Sequence, residues 1–305
     1  GASKEQTPRN RLFMSLYIVF LYISTVLIWG STWLAITYQL GSVDPIISVI
    51  YRMLLSSVLL SILCHIRSIS LRVSFQNHTF LMAQGVSLFG LNYWIIYMAE
   101  SYLASGIIAV IFSLIVLFNI INSRIFLKRP INANIALGAF VGLSGICLLF
   151  YPELTNVSSD NGAIKGFALG LTAVFIASLG NMAATRNGLT GLSVWSINAW
   201  GTLYGAIALI IIALLTGTEF TYEYSASYTA SLVYLAIFGT ILAFGAYLKL
   251  MILIGPEKAG YGALMIPFVA IILSTLFESY QWTTMAIVGF MLAGLGNYMV
   301  MSKKT

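Results

Sequence analysis

Long apolar runs follow one another along almost the whole chain, and they restrict its fold more than any other feature. A membrane-spanning helix needs about 20 mostly apolar residues. Ten stretches qualify: roughly 14–38, 45–66, 79–99, 104–127, 133–151, 163–185, 193–216, 229–253, 258–277 and 282–301. The breaks between them are short, apart from 152–162 and 217–228. Only 8% of the residues are charged and 59% are hydrophobic, whereas a soluble domain carries about 25% charged residues. No water-facing surface can be built from such a composition, so a bilayer must be the solvent. The expected fold class is an all-α integral membrane protein.

The formal net charge of +6 comes from basic residues scattered over short breaks. No single basic face forms, which speaks against a nucleic-acid partner. Lys and Arg gather on the cytoplasmic side of membrane proteins. With the N-terminus inside and the spans alternating, Arg67, Arg72, Arg124, Lys128, Arg129, Arg186 and Lys258 all fall inside, and Lys165 falls outside. Asp44, Glu100, Glu153, Asp160, Glu219, Glu223 and Glu278 fall outside, against Glu5 and Glu257 inside. That tally predicts ten spans with both termini cytoplasmic. The first run, Leu12 to Tyr38, is too long for a cleavable signal and lacks a small-residue cleavage site. Cys64 and Cys147 are expected near opposite membrane faces, without a disulfide between them.

The stretch from Ala104 to Leu149 is echoed about 151 residues later. Ile115/Ile266, Ile120/Ile271, Ser123/Ser274, Phe126/Phe277, Gly138/Gly289 and Gly145/Gly296 coincide. Each copy reads as a polar turn, a long apolar run, a polar break and a second apolar run with glycines at matching places. Five spans per half is an odd number, so the second half enters the membrane from the opposite side. The expected architecture is ten transmembrane helices as two inverted five-helix repeats. The boundaries are a cytoplasmic tail at 1–13, a first repeat at 14–151, an external linker at 152–162, a second repeat at 163–301 and a cytoplasmic tail at 302–305. Gly138-x3-Gly142, Gly166-x3-Gly170 and Gly201-x3-Gly205 fit the small-residue pattern of close helix contacts.

Several motifs now resemble one family. They are Trp29-Gly30-Ser31-Thr32-Trp33, Pro45 with Tyr51-Arg52, the Ser101–Ser113 turn, Pro267-Phe268-Val269-Ala270, Leu276-Phe277-Glu278 and Gly294-x-Gly296-Asn297. Together they resemble the EamA family of the drug/metabolite transporter superfamily over nearly the whole chain. The resemblance implies a ten-helix transporter of the bacterial cytoplasmic membrane that moves a small metabolite, with amino-acid export common among such relatives. Two departures stand out. Val116 occupies a place where the family commonly has proline, and Leu127-Lys128-Arg129-Pro130 lacks the acid that often closes that helix.

An ionisable residue inside a span is costly and is therefore a functional candidate. Arg52, Lys249 and Glu100 qualify. Two roles are open to Arg52: holding a substrate carboxylate in its planar fork, or a structural pairing with Glu100 or a helix-end carbonyl. Lys249 and Glu100 are candidates for gating or coupling, against positions at the two interfaces. Phe89, Tyr93, Tyr97 and Glu100 share one helical stripe. Trp29 with Trp33, and Thr240 with Phe244 and Tyr247, form similar stripes, readable as cavity wall or as packing. Asn92, Asn119, Asn122, Asn181 and Asn198 lie near mid-span, where an amide bonds either a neighbouring helix or a substrate. Phe112, Val116 and Asn119 are expected to share a face beside Tyr261 and Phe268. Pro267 removes a backbone donor and offers a bend.

The expected substrate-binding set is thus Trp29, Trp33, Arg52, Tyr93, Tyr97, Asn119, Asn181, Phe244 and Tyr261, with Glu100, Lys249 and Pro267 in gating or coupling. An aromatic, mildly polar cavity with a fixed positive charge suits a small zwitterion or carboxylate, such as an amino acid. Export by alternating access leads; exchange or import of another metabolite, nucleotide-like or cationic, is the alternative. The expected partners are a small-molecule substrate and the bilayer, with the chain a monomer or homodimer. The only histidines, His65 and His78, form no catalytic or metal-binding spacing. No cofactor, metal or enzymatic role is expected. No filter-like run or charged ring suggests a channel.

Overall fold

The structure, a computed structural model, describes residues 8–128, 133–155, 162–254 and 262–301. They are helical, with no strand among them. Helix α1 is Pro8–Thr37, α2 is Pro45–Ile66, and α3 is the run Phe75–Glu100. Helix α4 stacks Ser105–Phe112 on Ile115–Leu127, and α5 is Ala133–Thr155. Helix α6 is Gly162–Gly188 and α7 is Val194–Thr216. Helix α8 joins Ala226–Tyr234, Leu235–Leu242 and Ala243–Ile254; α9 is Gly262–Phe277 and α10 is Thr284–Met301. Seven of these runs are long and apolar enough to cross a membrane, namely α1 to α4, α6, α7 and the Ala226–Tyr247 part of α8. Three shorter apolar stretches lie in α5, α9 and α10.

Local sequence explains the element ends. Asp44 caps α2 by accepting from the Ile46 N–H at 3.0 Å, with Pro45 in the first turn where its missing donor costs nothing. Ser193 and Ser225 cap α7 and α8 in the same way. Helix α4 breaks without a proline. The Ser113 hydroxyl bonds back to the Val110 carbonyl at 2.6 Å, and the Leu114 N–H reaches Ile111 at 3.1 Å, tightening one turn.

The outside of the bundle is apolar. Phe20, Ile125, Phe140, Leu215 and Leu276 are among many large side chains more than half exposed, as a lipid-facing surface requires. Inside, close backbone contact replaces the hydrophobic drive that water would supply. Helices α5 and α10 run antiparallel, Gly142 facing Gly296 while Gly145 faces Gly289 and Ala293. A Cβ on Gly145 would stand 2.5 Å from the Gly289 carbonyl oxygen, so the seam has no room for a side chain.

Two π-helical stretches interrupt the regular helices, Gly85–Leu91 in α3 and Leu235–Leu242 in α8. Hydrogen bonds clasp the start of each of these two helices to neighbours. Near α8, the Gln39 amide donates to the Tyr228 carbonyl at 2.9 Å, Ser48 bonds the Tyr228 hydroxyl at 2.7 Å, and the Tyr51 hydroxyl donates to the Thr221 carbonyl at 2.8 Å. Near α3, the Asn187 amide donates to the Phe80 carbonyl at 3.1 Å, Tyr204 bonds His78 at 2.7 Å, and the Trp200 indole donates to the Leu71 carbonyl at 2.9 Å.

Cys64 is buried and Cys147 exposed, each a free thiol.

Candidate functional site

The tryptophan pair of α1 faces a cavity of about 350 Å3 bounded by α1, α2, α3, α4, α6, α8 and α9. That volume lies at the small end of the about 300–1,000 Å3 typical of small-molecule sites. The α1 residues on its wall run from Tyr22 to Ile36, about 21 Å of helix axis at 1.5 Å per residue.

Aromatic rings form most of the wall. Trp29 meets Phe244 edge-on at 5.2 Å and Tyr247 at 5.4 Å, and Trp33 meets Phe112 at 5.3 Å. The Trp29 indole N–H donates to the Gly239 carbonyl at 3.1 Å. Gly239 sits within the π stretch of α8, where wide turns disturb the regular ladder and leave a carbonyl open to an outside donor.

Polar groups occupy two levels. At one, the Asn181 amide donates to the Asn119 carbonyl oxygen at 3.3 Å. At the other stands Arg52, 1% exposed, its guanidinium carbon 4.3 Å from the Tyr93 ring centroid. This is a cation–π contact, favourable when desolvated. Among the described residues its Nε and Nη1 have no hydrogen-bond partner. Asn92 spends its amide nitrogen on the Leu88 carbonyl at 3.1 Å, while its side-chain oxygen has none. Buried polar groups are paired in the great majority of cases, so these unspent groups on Arg52 and Asn92 set this wall of the cavity apart.

Behind Arg52 lie Tyr97, fully buried, and Glu100, 7% exposed. The Tyr97 hydroxyl lies close to the Arg52 guanidinium, and among the described residues neither Glu100 carboxylate oxygen has a hydrogen-bond partner. Both residues sit within electrostatic reach of Arg52, and Glu278 within reach of Glu100. The Arg52–Glu100 pairing considered from sequence is not made as a hydrogen bond. At this end of the bundle the first residue of α4, Ser105, donates its N–H to Glu278 at 3.1 Å and its hydroxyl to the other carboxylate oxygen. The carboxylate thus faces a helix N-terminus, where negative charge is favoured.

Trp29, Trp33, Arg52, Tyr93, Asn119, Asn181, Phe244 and Pro267 all line the cavity. Tyr97 and Glu100 share the stripe of Tyr93 but lie one and two turns beyond it and are not among the cavity-lining residues. Lys249 lines a separate lateral pocket instead. Tyr261 lies outside the described residues. Ile115, not Val116, joins Phe112 and Asn119 on the wall, because the tightened turn at Ser113 shifts the register of α4. Sequence reasoning passed over Tyr22, Thr25, Thr32 and Ser113, which also face the cavity. The spacing Tyr22, Thr25, Trp29, Thr32, Ile36 was the signal, a continuous helical stripe.

The EamA-like transporter family matches residues 16–151 and again 164–302. Among relatives, the chain is 26% identical to "Uncharacterized inner membrane transporter YedA" of Escherichia coli K12, over 96% of this chain and 93% of that one. It is 23% identical to "Uncharacterized transporter YoaV" of Bacillus subtilis, over 91% and 94%. It is also 23% identical to "Protein PagO" of Salmonella typhimurium, over 89% and 88%. A solved crystal structure superposes with a TM-score of 0.66 over 92% of this chain and 95% of that one, at 15% identity, which shows a shared fold. With apolar helices around an aromatic cavity and two family matches covering most of its length, the chain belongs to the EamA-like transporter family and is a membrane transporter.

Proposed function

We propose that this transporter exports a small zwitterion or carboxylate, such as an amino acid, across the inner membrane by alternating access. Arg52 carries the proposal. It is a buried cation on the cavity wall with unspent donors, and a guanidinium recognises a carboxylate with two parallel hydrogen bonds. Rotation of its last torsions over Tyr93 would turn those donors to the lumen. Asn92 offers an acceptor for an ammonium group, and the rings of Trp29, Trp33 and Phe112 accommodate an apolar body. The inner-membrane setting follows the name printed for the Escherichia coli relative.

The proposal includes ten spans, both termini cytoplasmic, and two inverted halves. The clasps support it, because they recur about 150 residues apart. Tyr51 to Thr221 mirrors Trp200 to Leu71, with the halves exchanged. Tyr228 and His78 occupy matching positions, and so do the two π stretches. The antiparallel α5–α10 seam is what inverted copies would produce. Because both sets of clasps coexist, they act as a frame that stays closed at each end. The Ser105–Glu278 contact has no acidic counterpart at the end of α4, where Lys128 stands. It acts as an outer latch, and the cavity, lying on the other side of it, is read as facing the cytoplasm.

Counterflow into proteoliposomes, with a panel of labelled amino acids and carboxylates, tests this reading. Losing a charge-assisted contact worth about 1.5–3 kcal/mol lowers affinity about 10- to 150-fold. Arg52→Met should show that loss, and Arg52→Lys a smaller one. If the correctly folded Arg52→Met protein keeps its affinity, or the wild type takes decarboxylated amines equally well, the carboxylate reading fails.

A further inference from the structure

A second pocket, of about 380 Å3, lies against the opposite face of α8. Phe244, Tyr247 and Leu250 face the central cavity, whereas Leu242, Gly245, Ala246 and Lys249 face this pocket. The two share no lining residue. We propose that the second pocket holds the headgroup of a net-anionic phospholipid, such as phosphatidylglycerol or cardiolipin. This goes beyond the transport reading and does not depend on which metabolite is carried.

The chemistry of the lining carries the proposal. Among the described residues two cations, Arg67 and Lys249, border the pocket, and no acidic residue does. Neither cationic side chain has a hydrogen-bond or ionic partner among the described residues, and both are exposed. Tyr17 and Trp195 add a hydroxyl and an indole N–H, also without described partners. The set is therefore rich in unspent donors, which suits phosphodiester oxygens. The Trp195 ring is fixed against α8, where a Cβ on Gly245 would stand 2.8 Å from it. It forms the floor of the pocket beside Gly245.

Position selects a lipid over a soluble anion. Arg67 caps the end of α2, Trp195 lies in the first turn of α7, and Lys249 falls near the end of α8. Helix ends carrying Trp, Tyr, Lys and Arg belong at headgroup depth, and basic pockets between helices bind anionic headgroups. Leu21 and Leu63 complete the apolar wall. Phe20, Ile23 and Leu27, all more than half exposed, continue along α1 as a surface for an acyl chain.

The test is native mass spectrometry of the full chain, purified in detergent and titrated separately with phosphatidylglycerol, cardiolipin, phosphatidylethanolamine and inorganic phosphate. One anionic phospholipid per chain should be retained in preference to phosphatidylethanolamine, and inorganic phosphate should not displace it. Each near-surface cation is worth about fivefold in affinity. Arg67→Gln and Lys249→Gln should each lower retention about fivefold, and the double variant about 30-fold, while Arg67→Lys retains the lipid. The single variants keep the test decisive if the double variant does not fold. Equal retention by folded variants, no preference for anionic lipid, or displacement by inorganic phosphate would each overturn the proposal.

Discussion

Replacing Glu278 with Gln should shift this transporter toward its outward-facing state. In the structure its carboxylate accepts two hydrogen bonds from Ser105, one from the N–H at 3.1 Å and one from the hydroxyl. A hydrogen bond to a charged group exceeds a neutral one by about 1 kcal/mol, and the N-terminus of α4 adds about 0.3–1 kcal/mol for a negative charge. The gross loss is therefore about 2–3 kcal/mol. Glu278 is only partly buried, so solvent screening reduces this to about 1–2 kcal/mol, or about a 5- to 30-fold change in the outward population. The assay uses a chain in which Cys64 and Cys147 are replaced by Ala and Ala109, on the cavity wall, by Cys. A membrane-impermeant maleimide is then applied to the outside of intact cells. External labelling should quicken 5- to 30-fold in Glu278→Gln, and by a smaller factor in Ser105→Ala. Unchanged or slower labelling in a folded protein would refute both the latch and the inward-facing reading built on it.

Gly145→Ala tests the α5–α10 seam. Alanine gains up to about 1 kcal/mol in helix propensity, but its Cβ would press within 2.5 Å of the Gly289 carbonyl oxygen, and overpacking costs about 1–3 kcal/mol. Crowding should win, so thermal denaturation in detergent should fall, whereas Gly188→Ala, with open space around it, should be neutral or stabilising. A stable Gly145→Ala protein would mean that the seam can open. Trp29→Phe keeps a ring beside Phe244 but removes the donor to the buried Gly239 carbonyl. The expected loss is about 1–3 kcal/mol of stability, read by the same melt, together with weaker substrate binding in counterflow. An unchanged melt would show that the π stretch of α8 satisfies that carbonyl by itself.

The helices were readable because a bilayer imposes length and apolarity, and most aromatic and amide wall residues were readable because mid-span polarity is expensive. Depth along a helix was not readable. The stripe through Tyr93, Tyr97 and Glu100 gives direction around the axis, but only packing by neighbours decides where the open space ends. The π stretches were equally hidden, because one extra residue in a wide turn leaves no mark on a uniformly apolar sequence. They set which carbonyl Trp29 meets. The break in α4 was not legible, since 104–127 read as one run and Val116 stands where relatives commonly have proline. Ser113 makes it through its own hydroxyl, which moved Ile115 to the wall in place of Val116. Lys249 was read by its depth in α8, while the side of the helix it occupies was settled by the aromatic residues on the other face.

Among the described residues, helices α5 and α10 contribute no side chain to the central cavity, yet their glycine backbones meet too closely for a side chain to stand between them. A junction of this sort holds through shape alone, so the covalent tether between Thr155 and Gly162 carries little of the cohesion. Two separately translated pieces, severed there, are expected to co-purify from the same bilayer through that seam.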